Sequence, residues 1–304
     1  MTRTFLAFDL GAESGRAVLG SLSGRTLAIN EIHRFPNGGV RLPSGLYWDV
    51  LRLWHEIERG LDLALKQTKL DGIGVDAWGV DCALLGADGA LLENPRHYRD
   101  ARNRGVPEKV FEIVPRREIF AQTGVQFIQI NTLYQLFAMK LAGSSALAAA
   151  RTLLMIPDLF HYWLTGVARS ELTIASTTQF YNPLQQRWAY KLLARVDLPA
   201  AILPEIVQPG AALGNLRGGP AVPVYATASH DTAAAVAAVP AQGEDWLYIS
   251  SGTWSLMGVE LERPVIDPES LEMNLTNEIG AGGRIRLLKN IAGLWLLQEC
   301  RRAW

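Results

Sequence analysis

An α/β fold built twice, as two related domains in tandem, is what this sequence predicts. Three observations carry the prediction. The chain has 304 residues, room for roughly two domains at about 150 residues each. It opens on TFLAFDLGAESGRAVLGSL, an apolar strand, a small-residue turn and a second apolar strand. From residue 245 the stretch DWLYISSGTWSLMGVELERPV restarts the same order of strand, Ser/Gly/Thr turn, strand, turn and strand. A pattern that restarts in this way is a mark of duplication.

The elements follow in order. TFLAFDLG is apolar and bounded by glycine, as a buried strand is. AVLGSL and LAINEIHRF supply the second and third strands of a β-meander, with turns at GAESGR and SGR. A dinucleotide fold would instead follow its first strand with a glycine-opened helix. In WDVLRLWHEIERGLDLALKQT, Val50, Leu53, Trp54, Ile57, Leu61 and Ala64 recur at helical spacing, which predicts an amphipathic helix. GIGVDAWGVDCALLG predicts a strand and a hairpin arm, turned by ADG at 87–89. Residues 105–165 are expected to be mainly helical, including AARTLLMIPDLFHYWLTG, with glycine stops at 143 and 166. Prolines and glycines at 199–223 mark a loop-rich connection. PVYATASHDTAAAVAAV predicts strand, turn and helix, with Ser229 or Asp231 as the helix cap. The ending GLWLLQECRRAW has a helical pattern with no glycine or proline stop after it. The expected division is 1–240 for the first domain and 241–304 for the opening of a second.

Composition narrows the function. Hydrophobic residues are 49% and charged residues 19%, which is ample material for a globular core. A net charge of −1 offers nothing to a phosphate backbone or an anionic membrane, so no nucleic acid and no membrane partner is expected. No stretch reaches the about 18 apolar residues a membrane helix needs, and the N-terminus lacks a signal-peptide pattern. A cytoplasmic monomer is the expectation. Cys82 and Cys300 are far apart and are expected to be free thiols. His33, His55, His97, His161 and His230 show no metal-type spacing, and there is no Walker loop.

Four stretches carry chemistry. In DLGAESGR, Gly11 and Gly15 permit close backbone approach, and Ser14 and Arg16 suit a phosphate. Asp9 at the strand end suits a hydrated Mg²⁺ beside it. In YISSGTWSLMG, Ser250 to Thr253 make a second donor-rich turn, and two such turns opening two related domains would clamp a triphosphate between them. In ATASHDTAAAV, Asp231 stands at a helix start among small residues, where the helix dipole favours its anion and a substrate has room. It is placed to take a proton from a hydroxyl attacking phosphorus. In DAWGVDCALL and NPRHYRDAR, the residues Asp76, Trp78, Gly79, Asp81, Arg96, Tyr98, Arg99 and Asp100 mix aromatic faces with hydrogen-bonding groups, as a sugar site does.

The set DLGAESGR, DAWGVDCALL, NTLYQL, SHDTA, YISSGTWSLMG and LKNIAGLWLLQ, in this order, resembles the FGGY carbohydrate kinases. Within them it looks like the branch that phosphorylates L-rhamnulose. The likeness runs from about residue 4 to residue 300. It implies the duplicated ribonuclease-H-like fold of the actin and hexokinase superfamily, with the first domain whole and the second only its opening β-meander. It implies transfer of the γ-phosphoryl group of ATP to the 1-hydroxyl of L-rhamnulose, with Mg²⁺. By resemblance Asp231 is the catalytic base, and Gly79, His230, Asp231, Thr232 and Asn290 contact the sugar. Ala12, Glu13, Ser14, Gly15 and Arg16 form the ATP phosphate loop, Thr253 is the second phosphate contact, Gln298 contacts the nucleotide, and Asp9 holds the metal. A chain ending at 304 would lack the segment that packs the adenine, so impaired turnover is expected. The rival expectations are an FGGY kinase for xylulose, fuculose or gluconate, and a sugar-binding unit without catalysis.

Overall fold

The structure is a computed structural model, and it describes residues 2–243 and 245–304. Strands β1 (Thr2–Leu10), β2 (Ser14–Ser23) and β3 (Thr26–Pro36) form the antiparallel meander that the sequence predicts. Strand β4 (Gly72–Ala77) returns parallel to β1. Strands β5 (Ala211–Asn215) and β6 (Pro223–Ala226) complete a six-stranded sheet in the order β5-β6-β4-β1-β2-β3. A second sheet has the order β7-β8-β10-β9, all antiparallel. Its strands are β7 (Tyr248–Ser251), β8 (Trp254–Leu261), β9 (Thr276–Ile279) and β10 (Ile285–Ala292).

Eleven helices accompany the sheets among the described residues: α1 (Val50–Gln67), α2 (Val106–Ile113), α3 (Arg116–Thr123), α4 (Thr132–Leu141), α5 (Ser145–Ala149), α6 (Ile156–Thr165), α7 (Leu172–Ala175), α8 (Tyr190–Arg195), α9 (Asp231–Ala237), α10 (Pro268–Glu272) and α11 (Trp295–Ala303). Asp49 caps α1 by accepting from the Arg52 N–H at 3.1 Å. Val50, Leu53, Ile57 and Ala64 of α1 are buried against the first sheet. Burying each of Val50, Leu53 and Ile57 contributes roughly 1.5–3 kcal/mol, and the smaller Ala64 less. Gly143 and Gly166 end their helices with φ of 61° and 79°, a conformation glycine adopts without strain.

The two-residue period of the strands positions the site. In β1, Leu6, Phe8 and Leu10 go into the core, while Ala7 and Asp9 point to the other face. In β2, Gly15, Ala17 and Leu19 are buried and Ser14, Arg16 and Val18 face the same way as Asp9. In β4, Ile73, Val75 and Ala77 are buried and Asp76 points out. TFLAFDLG therefore buries one face only, and its other face borders a cavity.

Three expectations are corrected. Thr152–Met155 is a strand paired antiparallel with Cys82–Leu85, not the start of a helix. The helix begins only at Ile156, where Pro157 fits the first turn because no intrahelical donor is needed there. The hairpin arm Cys82–Leu85 does turn at 87–89 as expected, with Leu85 bridged to Leu91 and the Leu92 N–H donating to the Leu84 carbonyl at 3.0 Å. In the second sheet the strand that joins β8 is β10, not the segment ELERPV; α10 and β9 intervene. The third correction concerns α9. Its cap position is His230, with no side-chain cap bond. The Ser229 hydroxyl donates to the Thr227 carbonyl, and Asp231 lies inside the first turn, accepting from the Thr232 N–H at 2.6 Å.

Cys82 and Cys300 are free, and burial pushes the Cys82 thiol up to about 12. No helix among the described residues is long and apolar enough to cross a membrane.

Two buried histidines predict an acid dependence of stability. His161 accepts from the Val75 N–H at 3.2 Å, and burial pushes its pKa down from 6.5 to about 3. His97 stacks on Trp48 at 4.0 Å, and burial pushes it down to about 4. Below pH 6.5 the unfolded chain takes up protons that these folded sites refuse, so stability falls as pH drops toward those values. Asp81, pushed up by burial to about 6, opposes this between pH 6 and its ordinary 3.8. His161→Gln keeps an acceptor for Val75 and has no proton to gain. In urea unfolding it is expected to lose about 2 kcal/mol less than the parent between pH 7 and pH 5. An equal loss in both proteins would remove His161 from the account.

Candidate active site

A cavity of about 830 Å³ opens between the two sheets. That is the size of a small-molecule site, for which roughly 300–1,000 Å³ is usual. One wall is the outward face of β1, β2 and β4, and the opposite wall is the turn between β7 and β8 with the ends of β9 and β10. Helix α9 closes the seam between them. Its start is tied to the end of β4, since Ala77 pairs with His230 and the Ala77 N–H donates to the Ser229 carbonyl at 2.9 Å.

Register brings three carboxylates to this seam. Asp9 lies opposite Arg16 on one side and Asp76 on the other. Asp231 enters from α9, its side chain about a third exposed (35%). Arg16 Nε stands 3.0 Å from Asp9 Oδ2. Burial raises the Asp9 pKa; Arg16 works against this and Asp231 adds to it. Burial also holds Asp76 well above the usual carboxylate range, with Asp9 and Asp231 reinforcing the shift. Like charges held this way favour a cation or a proton among them. Among the described residues no three His, Cys, Asp or Glu side chains converge tightly enough to enclose a metal. Asp9 and Asp76, paired across β1 and β4, offer the one or two carboxylates by which Mg²⁺ is usually bound beside water and phosphate.

Most of the sequence-predicted residues meet here. Asp9, Ala12, Glu13, Ser14, Arg16, Gly79, His230, Asp231, Thr232, Thr253, Asn290 and Gln298 all line the cavity. The two turns face each other across it. The Gly11 N–H donates to the Ser14 carbonyl at 3.0 Å in one, and the Gly252 N–H to the Trp254 carbonyl at 2.8 Å in the other. Gln298 Nε2 reaches Thr253 Oγ1 at 3.4 Å, which joins the two expected nucleotide contacts of the second wall.

Gly15 is the exception. It does not line the cavity, and a Cβ there would lie 2.2 Å from the Phe35 ring. Its missing side chain serves packing between β2 and β3, not approach of a ligand. Part of the sugar-suited stretch is also structural. Asp81 is buried and accepts from the Trp48 and Trp78 indoles, Gln135 Nε2 and the Tyr98 N–H. Asp100 accepts from the Leu46 N–H, and Arg96 donates to the Ser44 carbonyl. Asp76, Trp78, Gly79 and Tyr98 do line the cavity. The Arg99 guanidinium lies over the Trp254 and Trp295 rings at 5.7 and 4.8 Å and so links the two walls.

Sequence reasoning missed the residues that hold the seam. Glu171 is fully buried; its carboxylate accepts from the N–H groups of Thr173, Ile174 and Ser229 and from the Thr173 hydroxyl. The Thr173 hydroxyl in turn accepts from the His230 N–H at 3.1 Å. Gln126 Oε1 accepts from both the backbone and the side-chain amide of Asn290 at 3.0 Å. Arg286 and Glu278 reach His230 from the second sheet. Gln126 has no local signal beyond polarity. Arg286 had one, a charged residue inside the apolar run IRLL.

The chain matches the model of the FGGY family of carbohydrate kinases, N-terminal domain, over residues 4–237, and the C-terminal domain of the same family over 247–304. A rhamnulokinase from Bacteroides thetaiotaomicron is 46% identical across 100% of this chain and 64% of its own length. One from Pectobacterium carotovorum is 45% identical across 98% of this chain and 61% of its own length. The chain thus spans a little over three fifths of these relatives. Among solved structures, a ligand-bound xylulose kinase from Lactobacillus acidophilus superposes with a TM-score of 0.86 at 18% identity, over 98% of this chain and 62% of that one. This likeness is one of fold. With sheet order, paired turns and sequence in agreement, the chain belongs to the FGGY family of carbohydrate kinases.

Proposed function

We propose that this chain carries the sugar site and the facing phosphate turns of an ATP-dependent rhamnulokinase. The reaction is L-rhamnulose plus ATP to L-rhamnulose 1-phosphate plus ADP. The observation that carries this reading is Asp231, about a third exposed and lining the cavity at the seam where both phosphate-type turns and the sugar-suited strand end meet. Relatives bearing the name rhamnulokinase, at 45–46% identity along nearly the whole chain, supply the choice of sugar.

Each residue then has a part. Gly79, His230, Thr232 and Asn290 hold the sugar with its hydroxyl toward Asp231. The Asp231 carboxylate takes the hydroxyl proton as the oxygen attacks phosphorus. Ala12, Glu13, Ser14 and Arg16 face the phosphates from one side, with Gly15 leaving room for Phe35 behind them, and Thr253 and Gln298 face them from the other. Asp9 is the residue to hold Mg²⁺, which when bound neutralises phosphate charge. We place the boundary between the two domains near residue 240.

The test pairs coupled ADP release with calorimetry on L-rhamnulose and L-xylulose. Turnover fastest on L-rhamnulose is expected. Faster turnover on L-xylulose overturns the choice of sugar, and sugar binding with no nucleotide turnover reduces the chain to a sugar-binding unit.

Gly79 gives a narrower check. A Cβ there would lie 3.2 Å from His230 Nε2 and from Thr177 Cγ2, filling space kept for the sugar. Gly79→Ala is expected to raise KM for the sugar about tenfold with a smaller change in kcat. An unchanged KM would place the sugar elsewhere.

A further inference from the structure

His230 is gripped from the second sheet by two buried charges. Arg286, fully buried on β10, donates from Nη2 to His230 Nδ1 at 2.9 Å and to Glu278 Oε2 at 2.9 Å. Glu278 Oε2 is itself 3.3 Å from His230 Nδ1. Two groups compete for this nitrogen: Arg286, which can only donate, at 2.9 Å, and Glu278 Oε2, which can only accept, at 3.3 Å; the nearer one calls for a lone pair on Nδ1. A neutral imidazole with Nδ1 as acceptor carries its hydrogen on Nε2. His230 lines the cavity, its Nε2 lies 3.5 Å from Asp231 Oδ1, and a Cβ on Gly79 would come within 3.2 Å of that nitrogen.

We infer that Arg286 is a positioning residue that holds His230 as the Nε2–H tautomer, making it a hydrogen-bond donor to an oxygen of the bound sugar. The proposal deepens the sugar-kinase reading and rests on it for the identity of the ligand, though not for the tautomer. Without Arg286 the Glu278 carboxylate would attract a proton to Nδ1. The hydrogen on Nε2 would then be present only in the charged imidazolium, or absent. The second sheet thereby acts on a sugar contact that belongs to the first domain, through one guanidinium.

The test is the ¹⁵N spectrum of imidazole-labelled protein near neutral pH, with the His230 signals assigned by their absence in His230→Asn. The parent is expected to show hydrogen on Nε2 and none on Nδ1. Hydrogen on Nδ1 overturns the proposal without any reference to activity. Glu278→Gln, which leaves Arg286 in place, is expected to keep the parent pattern. The double variant Arg286→Met with Glu278→Gln avoids a stranded buried carboxylate. It is expected to show mixed tautomers and a KM for the ketose raised about tenfold, as loss of one hydrogen bond implies, with a smaller change in kcat. A double variant that keeps the pure Nε2–H pattern overturns the role of Arg286. If the parent pattern holds and no sugar binds, the tautomer stands and the sugar-kinase reading is what fails.

Discussion

Asp231→Asn is expected to lower kcat by about 10²- to 10⁴-fold, the span a general base contributes, with little change in sugar affinity. The amide keeps an oxygen that accepts from the Thr232 N–H as Asp231 Oδ1 does at 2.6 Å, so α9 retains its first turn. It has no basic site to take the hydroxyl proton. The same change removes one of three like charges. Asp231 raises the pKa of both Asp9 and Asp76, beneath the larger effect of burial. The variant is therefore expected to unfold at the same temperature as the parent or a slightly higher one. Calorimetric melting together with coupled ADP release checks both halves. A variant that melts earlier and loses activity in proportion would make Asp231 a structural residue.

Glu171→Ala is the second large effect, and it falls on stability. The carboxylate accepts from the Thr173 N–H at 2.9 Å, the Thr173 hydroxyl at 2.6 Å, and the Ile174 and Ser229 N–H groups at 3.1 Å. Alanine strands three backbone donors in the interior. Each stranded donor costs about 1–3 kcal/mol, and part is regained because the buried carboxylate itself is expensive, as its raised pKa records. A net loss of roughly 3–5 kcal/mol in urea unfolding is expected. Glu171→Gln keeps one oxygen and should lose less. It should still lower kcat in protein that remains folded, since Ser229 and His230 hang from Glu171 and Thr173. A glutamine variant with reduced stability but parental kcat would confine Glu171 to the scaffold.

The periodic elements were legible in the residues. The spacing in α1 named its buried face, with Val50, Leu53, Ile57 and Ala64 all inside. The alternation in the first strands was there too, although TFLAFDLG looked buried on both faces. What hid the exposed side was Ala7, which is apolar by type yet borders the cavity. Thr152–Met155 fits a helical reading in sequence because TLLM is too short to show a period of its own. Its pairing with Cys82–Leu85, distant in sequence, is what makes it a strand.

By itself the sequence determined the opening meander, α1, the two donor-rich turns and the place of Asp231 at a helix start, because these depend on local period, glycine and side-chain type. Tertiary structure decided which charges meet. Asp9 and Asp76 are neighbours through the parallel pairing of β1 with β4, a register that no local pattern encodes. Glu171 beneath Ser229, Gln126 against Asn290 and Arg286 against His230 each join groups more than 50 residues apart, by hydrogen bonds 2.9–3.1 Å long. Such contacts arise only when packing removes water from both partners, where a polar group left without its partner costs about 1–3 kcal/mol.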